Sequence, residues 1–302
     1  MITNKPTVTI GIPAYNEQVN IGNILTNLLD QECQEFTLEK IVVSSDGSSD
    51  STNRIVQRFS VKHPQILLIN NQVRNGQASR QNQIINQTKS DILVLLNADV
   101  LIKDRIFIKK LITPIINNIA DLTSSNLLAL KPRTYIGKIL FTTLQFRNKI
   151  YRTYRNGQNL YTCHGAARAF SRNIYTLLVF KNSVAEDAYS YLFCISQGFK
   201  YAYVPEAITY IRWPETIIDN QRQSIRFFQS KKILKKDFGK KLVDDQYRLP
   251  LLSIIIAILV FYVRYPVYAL VYTVIFWIAF IRSHLTKPLN NWQISPSSKK
   301  LI

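Results

Sequence analysis

The stretch Asp91-Ile92-Leu93-Val94-Leu95-Leu96-Asn97-Ala98-Asp99 decides the fold. Its five consecutive branched aliphatics, Ile92 to Leu96, predict a strand buried on both faces, as in a parallel sheet covered by helices. Such sheets bind ligands beyond the carboxyl ends of their strands, where Asn97 and Asp99 emerge. A carboxylate at that edge can hold a divalent cation against a diphosphate. It can equally do no more than cap the helix expected from about Asp104. The neighbouring segments decide between the two.

Upstream, strands are expected at 8–12, 40–44 and 66–69, alternating with helices. Ile21, Ile24, Leu25 and Leu28 recur at helical spacing and predict an amphipathic helix over the sheet. Further helices are expected from Asp50 or Ser51 to Phe59, over 78–88, and from Asp104 to about Asn117, with Asp50 the better cap for the first of these. Strand, helix and strand joined by short links imply right-handed crossovers and an α/β fold. Downstream, strands are expected at 127–130, 201–204 and 207–211, and helices at 136–154, 185–197 and 216–238. The 136–154 helix mixes Lys138, Arg147, Lys149 and Arg152 with apolar residues, which suits either a lipid interface or docking on the domain.

Net charge is +19, from 38 Lys and Arg against 19 Asp and Glu, which fits nucleic acid, anionic lipid or an anionic substrate. The basic residues crowd into 138–155 and 222–241, and the second cluster abuts a nearly continuous apolar block, which favours the membrane surface. No nucleic-acid recognition motif is present, so no nucleic-acid partner is expected. The polar 1–7 segment predicts no leader peptide, and three scattered cysteines predict a reducing compartment without disulfides. The apolar block divides at Arg264 into 249–263 and 265–281, each a little short for a hydrocarbon core of about 30 Å. Basic residues at both ends favour a hairpin with both ends cytosolic; a kinked single span or a re-entrant hairpin is the alternative. The expected division is therefore a catalytic domain over residues 1–245 and a membrane-associated hairpin with a basic tail over 246–302.

Four further segments accompany Asp99. Pro13-Ala14-Tyr15-Asn16-Glu17 follows the first strand, and Asp46-Gly47-Ser48-Ser49-Asp50-Ser51-Thr52 follows the second. Ala185-Glu186-Asp187 opens a late helix, and Gln223-Ser224-Ile225-Arg226-Phe227 puts an amide and a guanidinium on one helix face. In this order the segments resemble the family 2 glycosyltransferases of GT-A fold, from about Val8 to Phe228. The metal motif of that family, Asp-x-Asp, corresponds to Asn97-Ala98-Asp99, and its Gln-x-x-Arg-Trp motif to Gln223 through Phe227.

The resemblance implies a GT-A fold and an inverting, metal-assisted transfer from a nucleotide sugar, most simply a UDP-sugar, to a glycan or lipid-linked acceptor at a membrane, with the catalytic domain cytoplasmic. It implies that Pro13, Tyr15, Glu17 and Asp46 grip the nucleoside and that Asn75, Gln77 and Asn97 lie near the donor. Asp99 would bind Mg²⁺ or Mn²⁺ on the diphosphate, and Gln223 and Arg226 would hold the diphosphate or acceptor. Asp187, beside Glu186, would be the general base, while His164, Gly165 and Trp213 would meet the acceptor sugar. Three positions depart from the family pattern: Asn97 stands for the first Asp, Gln77 for a lysine, and Phe227 for the Trp. Two alternatives stay open, transfer to a polyprenyl phosphate and a catalytically silent, nucleotide-binding membrane scaffold.

Overall fold

A computed structural model describes residues 5–181, 185–286 and 296–301. The chain opens with β1 (Thr7–Ala14), α1 (Ile21–Leu29), β2 (Thr37–Asp46), α2 (Thr52–Lys62), β3 (Ile66–Asn71), α3 (Gln77–Asn86), β4 (Ile92–Leu96) and α4 (Phe107–Ile116). It continues through β5 (Leu122–Ala129), α5 (Tyr135–Thr153), β6 (Ala167–Ser171), α6 (Arg172–Tyr175), α7 (Glu186–Ser196), β7 (Tyr201–Ile211) and α8 (Ile217–Phe238). Last come α9 (Lys240–Gln246), α10 (Leu251–Arg264), α11 (Pro266–Leu285) and the single turn α12 (Pro296–Lys299).

The strands form one seven-stranded sheet in the order β3-β2-β1-β4-β6-β5-β7. β1 to β4 pair in parallel, and β6 runs antiparallel between β4 and β5. All five residues of β4 are buried, as the aliphatic run requires. On one face Ile21, Ile24, Leu25 and Leu28 of α1 join Phe107, Ile108, Leu111 and Ile112 of α4 in the main core. On the other, α3 lies directly on β1: a Cβ on Gly11 would fall 2.3 Å from a methyl of Ile84, so only glycine permits this approach.

Three local expectations change. The expected strands 201–204 and 207–211 are one strand, β7, whose register against β5 slips around Pro205, where no N–H exists to continue the ladder. The strand β6 was not foreseen, because Arg168, its second residue, interrupts the apolar pattern. That arginine is fully buried and donates to the Glu186 carbonyl at 2.7 Å and to Ser190 Oγ at 2.6 Å, which satisfies part of its guanidinium. Asp99 caps no helix, since α4 begins at Phe107 and it is Asp104 that accepts from the Ile106 N–H at 3.0 Å.

The α10–α11 pair packs against α5 and α8 through aromatic contacts, Phe146 with Phe261 at 5.0 Å and Phe228 with Phe280 at 5.5 Å. Only α11, with 20 residues, is long and apolar enough among the described residues to cross a membrane by itself. α10 reaches that length only together with α9, at a 43° bend. Lys231 and Lys235, from the 222–241 basic cluster that was expected to favour the membrane surface, both pair with Asp244 on α9, at 3.0 and 2.8 Å.

Candidate active site

The carboxyl ends of β1, β2 and β4 converge at one sheet edge and line a cavity of about 110 Å³. Its walls include Pro13, Tyr15, Glu17, Asp46, Arg74, Gln77, Arg80, Asn97 and Asp99, together with Ser298 and Lys299 from the far end of the chain. The topology explains this convergence. Parallel neighbours send their following loops to the same edge, whatever their distance apart in sequence.

Asp46, at the end of β2, organises one wall. Its carboxylate accepts from the Asn75 and Gly76 N–H groups at 2.8 and 2.9 Å and from Arg80 Nε at 2.7 Å. Arg80 in turn donates to the Val73 carbonyl, which fixes the turn that brings Arg74 over the Tyr15 ring, 4.0 Å from its centroid. The Asp46–Arg80 pair is buried and fully hydrogen-bonded, the arrangement in which an interior ion pair is tolerated. Asn75 thus contributes its backbone to this wall.

On the β1 loop, Asn16 adopts a left-handed φ of 52° and accepts from the Ser49 N–H through its side chain at 2.9 Å. Asp50 ties the same loops together, accepting from the Gln18 and Thr52 N–H groups at 3.1 and 2.9 Å, while Ser51 holds the position before α2. Glu17 is buried beside Asp99. Burial first, and then repulsion from Asp99, raise its carboxyl to about 7, against the opposing pull of Lys299 and Asn20. Burial raises Asp99 as well, with Lys299 opposing. Such a carboxylate pair gains from a cation between or beside its members.

The glutamine that stands for a lysine has a defined role: Gln77 Nε2 donates to Asn97 Oδ1 at 3.0 Å. The two departures from the family pattern therefore form one neutral hydrogen-bonded pair. Asn97 points its amide toward Gly165, where a Cβ would stand 3.8 Å from Asn97 Nδ2 and 4.0 Å from Asp187 Oδ2. Across this one glycine the β4 edge meets the start of α7.

The second cluster lies there. The Asp187 carboxylate accepts from the Ala188 N–H at 2.8 Å. Arg226 of α8 faces Glu186 and Asp187; burial pulls its pKa down while those two carboxylates push it up. Glu186 is buried, and burial, then repulsion from Asp187, lift its carboxyl to about 7, with Arg226 and Arg168 opposing. His164 is half-buried near Asp187; desolvation lowers its imidazole to about 4 against the opposing pull of Asp187, which keeps it neutral at neutral pH. Gln223 is half-buried on α8, and Trp213 is half-buried in the turn after β7; neither lines the cavity.

The raised Glu186 carboxyl has a testable consequence for stability. Between its ordinary value near 4.5 and about 7 the folded chain keeps a proton that the unfolded chain has released, so stability falls as pH rises through that window. Glu186→Gln removes this loss. Thermal unfolding should then show a smaller drop between pH 5 and pH 8 than wild type, by up to about 3 kcal/mol. An unchanged drop would assign the whole effect to Glu17, which titrates in the same window.

The reading from sequence missed Arg80, Arg74 over Tyr15, and Lys299. Arg80 and Asp46 lie 34 residues apart, and Lys299 and Glu17 lie 282 apart, with no periodicity to link them.

This arrangement, an edge site on a mostly parallel sheet with acidic groups beyond the ends of β1, β2 and β4, belongs to a GT-A glycosyltransferase fold. The profile of the family described as Glycosyl transferase family 2 matches residues 9–178. The chain belongs to that family and is an enzyme of the glycosyltransferase class. Asp187, Gln223 and Arg226 lie beyond the matched residues.

The mannosyltransferase PcManGT from Pyrobaculum calidifontis, solved with GDP-Man and Mn²⁺, superposes with a TM-score of 0.60 at 19% identity, covering 95% of this chain and 77% of that one. Glucosyl-3-phosphoglycerate synthase from Mycobacterium tuberculosis, solved with Mn²⁺ and UDP, gives 0.54 at 16% identity over 78% of this chain and 80% of that one. Among curated proteins, a dolichyl-phosphate beta-glucosyltransferase of Trichomonas vaginalis is 35% identical over 97 residues, which is 30% of this chain and 28% of that protein. The poly-beta-1,6-N-acetyl-D-glucosamine synthase of Staphylococcus aureus is 24% identical over 276 residues, 85% of this chain and 63% of the synthase. The matched stretches thus span under two thirds of both curated relatives.

Proposed function

We propose that this chain transfers a sugar, with inversion, from a UDP-sugar to a hydroxyl of a lipid-linked or envelope glycan at the cytoplasmic face of the cell membrane. The observation that carries this reading is the spacing around Gly165, which sets the Asp187 carboxylate beside the Asn97 end of the donor cavity. Asp187 takes the proton of the acceptor hydroxyl, and the oxygen attacks the anomeric carbon from the face opposite the diphosphate. The bond from that carbon to the diphosphate oxygen breaks, and the nucleoside diphosphate departs with the electron pair. Arg226, near both acids of α7, would hold a phosphate or a sugar hydroxyl; its planar fork suits the first.

Among the described residues no group of three or more His, Cys, Asp or Glu is arranged to enclose a metal ion. The oxygen donors present still fit Mg²⁺ or Mn²⁺, which commonly take one or two carboxylates and complete their shells with phosphate oxygens and water. Asp99, next to Glu17, would be the protein's ligand. When bound, the ion would neutralise charge on the departing diphosphate. The Tyr15, Glu17 and Asp46 wall would receive the nucleoside.

Residues 1–245 form the catalytic unit in this reading, and α10 and α11 meet lipid. Leu251, Leu252, Leu259 and Val263 of α10 and Val267, Leu270 and Trp277 of α11 are all exposed, apolar surface that water disfavours. At 1.5 Å per residue α11 reaches about 30 Å, the thickness of a hydrocarbon core.

Likeness to the dolichyl-phosphate transferase favours a second acceptor, a polyprenyl phosphate. Membranes containing the full chain, given Mn²⁺ and a panel of radiolabelled UDP-sugars, separate the two. An oligosaccharide product supports glycan extension, and a chloroform-soluble phosphodiester supports the lipid phosphate. No transfer and no donor hydrolysis would leave the silent scaffold. The same membranes should retain the chain through alkaline carbonate, and release by salt alone would overturn insertion of α10–α11.

A further inference from the structure

The last described residues, 296–301, lie at the sheet edge, where buried groups hold them. Asp219 of α8, itself buried, accepts from the Ser297 N–H at 3.0 Å and its hydroxyl at 2.5 Å. Arg212, buried and paired with Glu215 at 3.0 Å, donates to the carbonyls of Lys300 and Leu301 at 2.5 and 3.1 Å. Asn20 donates to the Lys299 carbonyl at 2.6 Å. These contacts make a built receptor for a specific backbone path.

Its outcome is the position of one ammonium. Lys299 Nζ donates to the Tyr15 carbonyl at 2.7 Å, to the Asn16 carbonyl at 3.1 Å and to Glu17 Oε1 at 2.5 Å. An ammonium has three protons, and protein oxygens engage all three. Lys299 therefore has none left for a phosphate in this position. It fills acceptors on the loop that would receive a nucleoside, and the cavity that remains, about 110 Å³, is smaller than the roughly 300–1,000 Å³ usual for small-molecule sites.

We propose that the C-terminal tail is an intramolecular ligand of the donor pocket, and that nucleotide binds only as Lys299 leaves the Tyr15–Glu17 loop. This inference rests on the donor-site reading above. The apparent affinity for nucleotide is then reduced by the fraction of chains whose tail is docked.

Two measurements on the full-length, detergent-solubilised protein test it. A water-soluble carbodiimide should join the Glu17 carboxylate to the Lys299 amine as an amide, with net loss of water, and mass spectrometry of the digest should find the cross-linked pair. UDP with Mn²⁺ should suppress that product. By calorimetry, Lys299→Ala should bind UDP with Mn²⁺ about tenfold more tightly than wild type. Lys300→Ala, which leaves the backbone carbonyl held by Arg212, should match wild type. Absence of the cross-link in nucleotide-free protein would overturn docking. Equal or weaker nucleotide binding by Lys299→Ala would overturn competition, the weaker case making Lys299 a donor ligand. Cross-linking with no UDP binding by either protein would overturn the donor-site reading and competition with it, while docking stood.

Discussion

Asp187→Asn should lower turnover by about 10³-fold and leave the affinity for UDP with Mn²⁺ within about twofold of wild type. Asparagine keeps the size of the side chain and an acceptor oxygen, so the Ala188 N–H retains its partner. It loses the capacity to take a proton at neutral pH. Asp187 is also outside the donor cavity, separated from Asn97 by Gly165, so nucleotide binding has no direct reason to change. The split between turnover and affinity is the diagnostic part. A parallel loss of both would make Asp187 a binding or folding group, and unaltered turnover would remove it from the mechanism. Glu186 is the weaker candidate for base despite its raised carboxyl. It is buried between Arg168 and Arg226, and Arg168 holds its backbone carbonyl.

Asp99→Asn should abolish the metal dependence of nucleotide binding, weakening UDP with Mn²⁺ by about 100-fold, the worth of one lost charge-assisted contact of about 3 kcal/mol. The same change should raise the thermal stability of the metal-free chain. Asp99 is half-buried beside Glu17, and desolvation there disfavours its charged form, a cost that an amide avoids. Opposite movements of stability and metal-dependent affinity mark a group kept for function. Calorimetric Mn²⁺ titrations in the presence of UDP and thermal melts without metal provide the two readouts. An unchanged titration would exclude Asp99 as the ligand, and a destabilised metal-free variant would show that its carboxylate is structural.

The candidate site was legible in the sequence to the extent that its residues sit at strand ends. Pro13 to Glu17, Asp46 and Asn97 to Asp99 each follow an aliphatic run, and a parallel sheet brings such ends together. What those residues touch was not legible. Asp46 was read as a grip on the nucleoside, and the structure adds that it anchors the Asn75–Gly76 turn and Arg80. Gln77 looked like a lost charge and proves to hold Asn97. The strand β6 was hidden because a buried arginine breaks the apolar pattern on which strand reading depends.

By itself the sequence determined the α/β class, the helix and strand alternation through α4, the apolar C-terminal helices and the order of the acidic motifs. These follow from local periodicity and from the short links that force parallel crossovers. Only the tertiary structure decided that Asp187 meets Asn97 across Gly165, that Arg226 faces the acids of α7, and that Lys299 sits on Glu17. The physical reason is range. Periodicity reports which face of an element is buried, whereas a contact between residues 282 positions apart depends on how the whole chain packs.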